Sequence, residues 1–69
     1  MRFLNFLFPE KTHALNTRSG EIHVIIACKY VGQISEKNKV LLTKKKAMKY
    51  LEAGKYDGCK HCLKQYSKD

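Results

Sequence analysis

"THALNTRSGEIHVIIA", residues 12–27, decides how this 69-residue chain is read. Two apolar-containing arms flank Arg18-Ser19-Gly20, a turn signal, and the second arm is rich in β-branched residues. That pattern predicts a β-hairpin. Along the second arm, alternation puts Ile22, Val24 and Ile26 on one sheet face and His23 and Ile25 on the other. The arm gives way to loop near Cys28.

Beyond the hairpin, "VGQISEKN" (31–38) is polar and reads as a loop, and "KVLL" (39–42) as a short third strand. Thr43 is a good N-cap for a helix over "KKKAMKYLEAG" (44–54), with Ala47, Met48 and Leu51 on one face and Gly54 as the stop. Lys44, Lys45 and Lys46 fall in its first turn, where positive charge opposes the helix dipole. Cys62, Leu63 and Tyr66 suit a last short helix turned inward. On the N-terminal side, Phe3, Leu4, Leu7 and Phe8 fit one face of a short helix, and the segment is also aromatic enough for a strand. Pro9 ends it either way. The expected fold is α+β, a β-hairpin plus a third short strand and two to three short helices, with residues 1–69 as a single domain. No internal repeat or linker interrupts it.

A chain this short buries only about 60% of its unfolded surface and gains much from a metal or disulfide staple. Three cysteines are an odd number for a secreted disulfide scaffold. The apolar stretch before Pro9 is about six residues, shorter than a signal-peptide core and far short of a membrane span. The expected location is therefore cytoplasmic, with no membrane partner. In a reducing compartment "CKHC" (59–62) is a metal knuckle, a redox pair or two buried thiols. A thioredoxin-like pair would open a helix in a larger βαβ fold, for which there is no room.

A structural zinc takes four nitrogen or sulfur ligands, commonly two from such a knuckle. Cys28 is the remaining sulfur. His23 supplies a nitrogen, with His13 on the partner strand as the alternative. His61 lies between the two thiols and is expected to face solvent. His23 and Cys28 are five positions apart, hence on opposite faces of a regular strand. They can share an ion only if the strand ends or bulges near Ala27. The candidate set is His23, Cys28, Cys59 and Cys62, with Zn2+ as the cofactor.

"TRSGEIHVIIACKY" followed by "NKVLLTKKKAMKYLEAGKYDGCKHC" resembles the Ada-type zinc-binding module, including relatives with His in place of the first Cys that are appended to bacterial nucleases and hydrolases. Gly20, His23, Cys28, Asn38, Ala47, Tyr56, Cys59 and Cys62 fall in the matching order, over residues 17–62. The resemblance implies a structural zinc on His23, Cys28, Cys59 and Cys62. It also departs from the pattern: Lys55 stands where a Gly precedes the Tyr, and Gly58 where a Pro precedes the knuckle. In Ada the first sulfur ligand accepts the methyl group. Its counterpart here is His23, so the resemblance implies a binding module and not an enzyme.

The net charge of +8 is uneven. Residues 1–27 carry +1, whereas residues 28–69 carry eleven lysines against four carboxylates, a net of +7. Such a basic half suits DNA or RNA. Twelve of the fourteen basic residues are lysine, and base readers favour arginine, so a solvated face is the plainer reading of the same charge. Lys44, Lys45, Lys46 and Lys49 are the candidate phosphate contacts, with Tyr50 or Tyr56 as a stacking surface. The competing classes are a zinc-thiolate alkyl acceptor of the Ada type and an accessory protein that docks onto another protein.

Overall fold

A computed structural model describes residues 10–67; the expected N-terminal helix or strand over residues 3–8 lies outside them. Four strands form one mixed sheet: β1 (Lys11–Asn16), β2 (Glu21–Val24), β3 (Lys39–Thr43) and β4 (Asp57–Gly58), in the order β3-β1-β2-β4. β1 runs antiparallel to β2 and β3, and β4 runs parallel to β2. One helix, α1 (Lys44–Glu52), follows β3 directly. Short 3-10 turns occupy Lys29–Gln33, Glu36–Asn38 and Lys64–Tyr66. The fold is thus the expected α+β class, with a single α-helix among the described residues. The expected last helix is the 3-10 turn Lys64–Tyr66.

The hairpin closes through the side chain of Asn16, whose Oδ1 accepts from the backbone N–H of Arg18 at 3.0 Å. Asn is suited to this because its short amide can bond its own chain two residues on. Register pairs Leu15 with Ile22 and His13 with Val24 on one face, and Ala14 with His23 on the other. The first face carries the core. Leu15, Ile22 and Leu42 meet Ala47 and Leu51 of α1 and Leu63 from the C-terminal segment. The helix starts as expected, with Thr43 Oγ1 accepting from Lys46 N at 3.2 Å. Past its end, Gly54 takes φ 72°, a left-handed value that favours glycine. β3 is an edge strand. It buries Leu42 but leaves Val40 and Leu41 exposed.

β2 is shorter than the alternation suggested. It ends at Val24, and Ile26 lies in the following turn, 97% exposed, instead of sharing the face of Ile22 and Val24. The cause is a backbone reversal: the Val24 carbonyl accepts from both Ala27 N (3.2 Å) and Cys28 N (2.9 Å). No helix among the described residues is long and apolar enough to cross a membrane.

Candidate metal centre

The turn after Val24 brings Cys28 back to the side of the sheet that His23 occupies. A continuous strand to Ala27 would have put the two on opposite faces; reversing at Val24 instead leaves Cys28 Sγ 3.5 Å from His23 Nδ1. The knuckle arrives from the other end of the chain. β4 pairs with β2, Glu21 opposite Asp57 and Ile22 opposite Gly58, and Cys59 N then donates to the Ile22 carbonyl at 3.0 Å. This pairing sets Cys59 beside the hairpin, with its Sγ 3.8 Å from Cys28 Sγ. The tight turn to Leu63, whose N–H reaches the Cys59 carbonyl at 2.8 Å, returns Cys62 to the same place. One ligand atom each from His23, Cys28, Cys59 and Cys62 falls within 4.8 Å of all the others.

His13 does not join them. It is buried on the core face of β1, opposite Val24 and Leu42, and its Nδ1 contacts Thr12 Oγ1 at 2.7 Å. His61 is exposed and packs its ring on Tyr30, with centroids 4.8 Å apart.

The donor set can be tested against the metal by distance. Zinc bonds of about 2.3 Å to sulfur and about 2.0–2.1 Å to nitrogen, arranged tetrahedrally, separate two sulfurs by about 3.8 Å and a sulfur from a nitrogen by about 3.5 Å. The Cys28–Cys59 and His23–Cys28 separations are 3.8 and 3.5 Å. A disulfide needs about 2.05 Å between sulfurs, and all three cysteines are free thiols. The His/Cys3 cluster is therefore close enough to hold a metal ion.

The surroundings prepare the sulfurs for that role. Val24 N–H donates to Cys62 Sγ at 3.3 Å and His61 N–H to Cys59 Sγ at 3.4 Å. Such bonds favour the thiolate and orient it. Burial opposes ionisation of Cys59, but the backbone N–H groups of His61 and Cys62 and the Cys28 thiol outweigh it, so its pKa falls below the ordinary value. Cys62 moves the other way, pushed up to about 12 by burial and by its neighbours Cys28 and Cys59, against the pull of Val24 N–H. In the metal-free cluster one thiol gives up its proton readily and another holds on, because negative charges this close repel. A bound cation reverses that balance. Burial, partly countered by Glu21, lowers the pKa of His23 and keeps its imidazole neutral, the form that ligates.

Lys44, Lys45, Lys46 and Lys49 are all exposed on α1. Lys45, Lys46 and Lys49 line a shallow cleft of about 250 Å³ with Thr43 and Tyr50. The Nζ atoms of Lys46 and Lys55 lie 5.9 and 5.1 Å from the Tyr50 ring centroid, and Tyr50 meets Tyr56 edge-on at 5.2 Å. The ion pair found among the described residues, Lys39 with Glu36, lies elsewhere. A second feature escaped the sequence reading altogether: a cleft of about 330 Å³ against the metal cluster, bordered by Glu21, Tyr30, Gln33 and His61. Its borders come from three separate segments, and no spacing in the chain announces it.

Comparison of the chain with protein-family models, with curated proteins and with solved structures gives no match. The Ada-type resemblance is consistent with the ligand geometry, and no family match accompanies it.

Proposed function

We propose that this chain is a structural-zinc binding module that engages nucleic acid through the lysine face of α1. The observation that carries the first half is the convergence of one ligand atom each from His23, Cys28, Cys59 and Cys62 within 4.8 Å, with the Cys28–Cys59 and His23–Cys28 pairs at tetrahedral zinc distances. Soft thiolate with one imidazole is a donor set for zinc, and four protein ligands leave it closed, as structural sites are. The metal would join the end of the hairpin to the C-terminal segment.

Two features support nucleic acid as the partner. The lysines of α1 lack carboxylate partners among the described residues, and three of them sit where they oppose the helix dipole. A sequence that sets charge against local stability is commonly serving something other than the fold. Next to them Tyr50 and Tyr56 are half-buried against the core, and their exposed portions are ring surface of the kind that stacks on bases.

An alkyl acceptor of the Ada type has weaker support. Cys28 and Cys59 are buried, and a neutral histidine ligand leaves the centre less electron-rich than four thiolates would. Among the described residues a purely protein-docking role would draw on the exposed Ile26 and on Val40 and Leu41 of the edge strand β3.

Native mass spectrometry should find one zinc per chain. The loaded protein should bind a single-stranded oligonucleotide with affinity falling about 50-fold between about 50 and about 200 mM salt, the effect of four phosphate contacts. Lys45→Glu with Lys46→Glu should abolish that binding while the circular dichroism spectrum is retained. A metal-free folded chain would refute the zinc site, and salt-independent binding would refute the lysine face.

A further inference from the structure

We propose that the cleft beside the metal cluster binds a guanine base, carried either by a free nucleotide or by an unpaired position of a single strand. The strand source rests on the nucleic-acid reading above; the cleft itself does not use the lysines of α1.

The cleft holds about 330 Å³, at the small end of ligand sites and ample for one planar base. One wall is aromatic. Tyr30 and His61 pack at 4.8 Å and 37° and form a ridge, because the same two residues border a second hollow of about 270 Å³ on the side of Cys28 and Lys29. Lys29 Nζ stands 5.5 Å from the Tyr30 centroid. Lys60 borders the larger cleft itself, so a base stacked on the ridge there has a cation beside it for its phosphate.

The choice of base comes from the other border. The Glu21 carboxylate is half-buried there, and neither it, the Ser19 hydroxyl nor the Gln33 amide makes a side-chain hydrogen bond to any described residue. Guanine presents two adjacent donors, N1–H and the N2 amino group, on one edge, and a carboxylate with two oxygens accepts both. Adenine and cytosine present one amino donor beside a ring acceptor, and uracil one N–H between two carbonyls, so each would set a lone pair against the carboxylate. Ser19 and Gln33 can donate to the guanine acceptors that remain. The backbone of Glu21 is fixed by pairing with β1 and β4, which gives the carboxylate a rigid base.

The test is an amide chemical-shift titration of the full chain with 5′-guanosine, inosine and adenosine monophosphates. Two heptanucleotides are added, an all-thymidine strand and the same strand with guanine at its centre. The guanosine nucleotide should shift Glu21, Tyr30 and His61 and bind at least tenfold more tightly than the adenosine one, with inosine between them. Tyr30→Leu should cost about tenfold in affinity, and Glu21→Gln should erase the preference for guanine. Equal affinity for free nucleotide and strand identifies a nucleotide ligand; tighter binding of the guanine strand identifies a strand, and either supports the cleft. Absence of shifts at those amides, equal affinity for the adenosine nucleotide, or a Glu21→Gln variant that keeps the preference for guanine would overturn it. Metal content is measured on the same sample, and a folded metal-free chain is titrated in the same way, so the zinc site and the cleft fail separately. Failure of the lysine face would appear as loss of binding by the all-thymidine strand, with the nucleotide affinities unchanged.

Discussion

A Cβ added to Gly58 would stand 2.7 Å from Tyr66 Cβ and 2.8 Å from the Leu63 carbonyl oxygen. The residue is caught between two constraints. Its backbone pairs with Ile22 of β2, and one residue later the chain must turn so that Cys59 and Cys62 converge. The C-terminal segment folds back against that turn, with Leu63 buried in the core. The Pro expected here from the Ada-type pattern would carry a Cβ into the same atoms, so glycine at this position follows from how this chain closes over its knuckle. Gly58→Ala should destabilise the metal-loaded protein by about 1–3 kcal/mol, the usual cost of overpacking, read as a lowered urea midpoint at constant slope. An unchanged midpoint would mean that Leu63 and Tyr66 yield freely. At this scale the sequence was informative where chemistry is explicit and poor where backbone decides. The types and spacing of His23, Cys28, Cys59 and Cys62 made them candidates before any fold was known. The choice of His23 over His13 needed the register, which puts His13 on the core face. The fate of Ile26 was hidden because its apolar character fits a strand, whereas the bonds that end β2 at Val24 belong to backbone atoms.

Among the elements, β1, β3 and α1 were legible because each carries its own local signal: a turn composition, an apolar run, a cap. β4 carries none. Two residues have no periodicity, and their strand character comes wholly from pairing with β2. β1 also holds the group that makes the sheet–helix packing sensitive to acid. His13 is buried, and burial first, then the positive charge of Lys44 at the start of α1, holds its pKa below the ordinary 6.5. The unfolded chain therefore takes up a proton on this histidine at a higher pH than the folded chain does. Its contribution to stability is full above 6.5 and is lost as pH falls through the lowered value. His13→Gln, which keeps a hydrogen-bonding side chain beside Thr12, should remove that component. With zinc in excess, the urea midpoint of the parent chain should fall more between pH 7.5 and pH 5.5 than that of the variant. Parallel losses in the two would assign all the acid sensitivity to the metal ligands. Lys44→Gln should make the parent chain's loss only slightly smaller, because it raises the lowered value a little while burial, the larger cause, remains.

In the molecule as a whole, the described residues supply little apolar material to hold it. Among the described residues the buried cluster consists of Leu15, Ile22, Leu42, Ala47, Leu51 and Leu63, and a core of this size rarely supplies more than about 3–5 kcal/mol. The candidate ligands lie where a cross-link adds most. His23 and Cys28 flank the end of β2, Cys59 and Cys62 follow β4 near the other end of the chain, and the connection between them contains β3 and α1. A metal joining these ends removes the freedom of that whole segment in the unfolded state, as any link closing a long loop does. Structural zinc contributes about 10–16 kcal/mol of apparent binding energy in small peptides, several times what the core provides. The parallel pair of β2 and β4 would depend on such a metal most, because it is a ladder of only two residues. Chelation at neutral pH should therefore abolish the helical and sheet circular dichroism together, in one transition, and stoichiometric zinc should restore both. Cys62→Ser should shift that transition to lower chelator concentration, since it removes the sulfur that Val24 N–H anchors. A chain that keeps its spectrum after losing its metal would place the stabilising energy in the core and leave the four ligands without a structural task. A chain that loses β4 pairing first, seen as early exchange of the Asp57 and Cys59 amides while α1 stays protected, would confine the staple to the C-terminal segment instead of the fold.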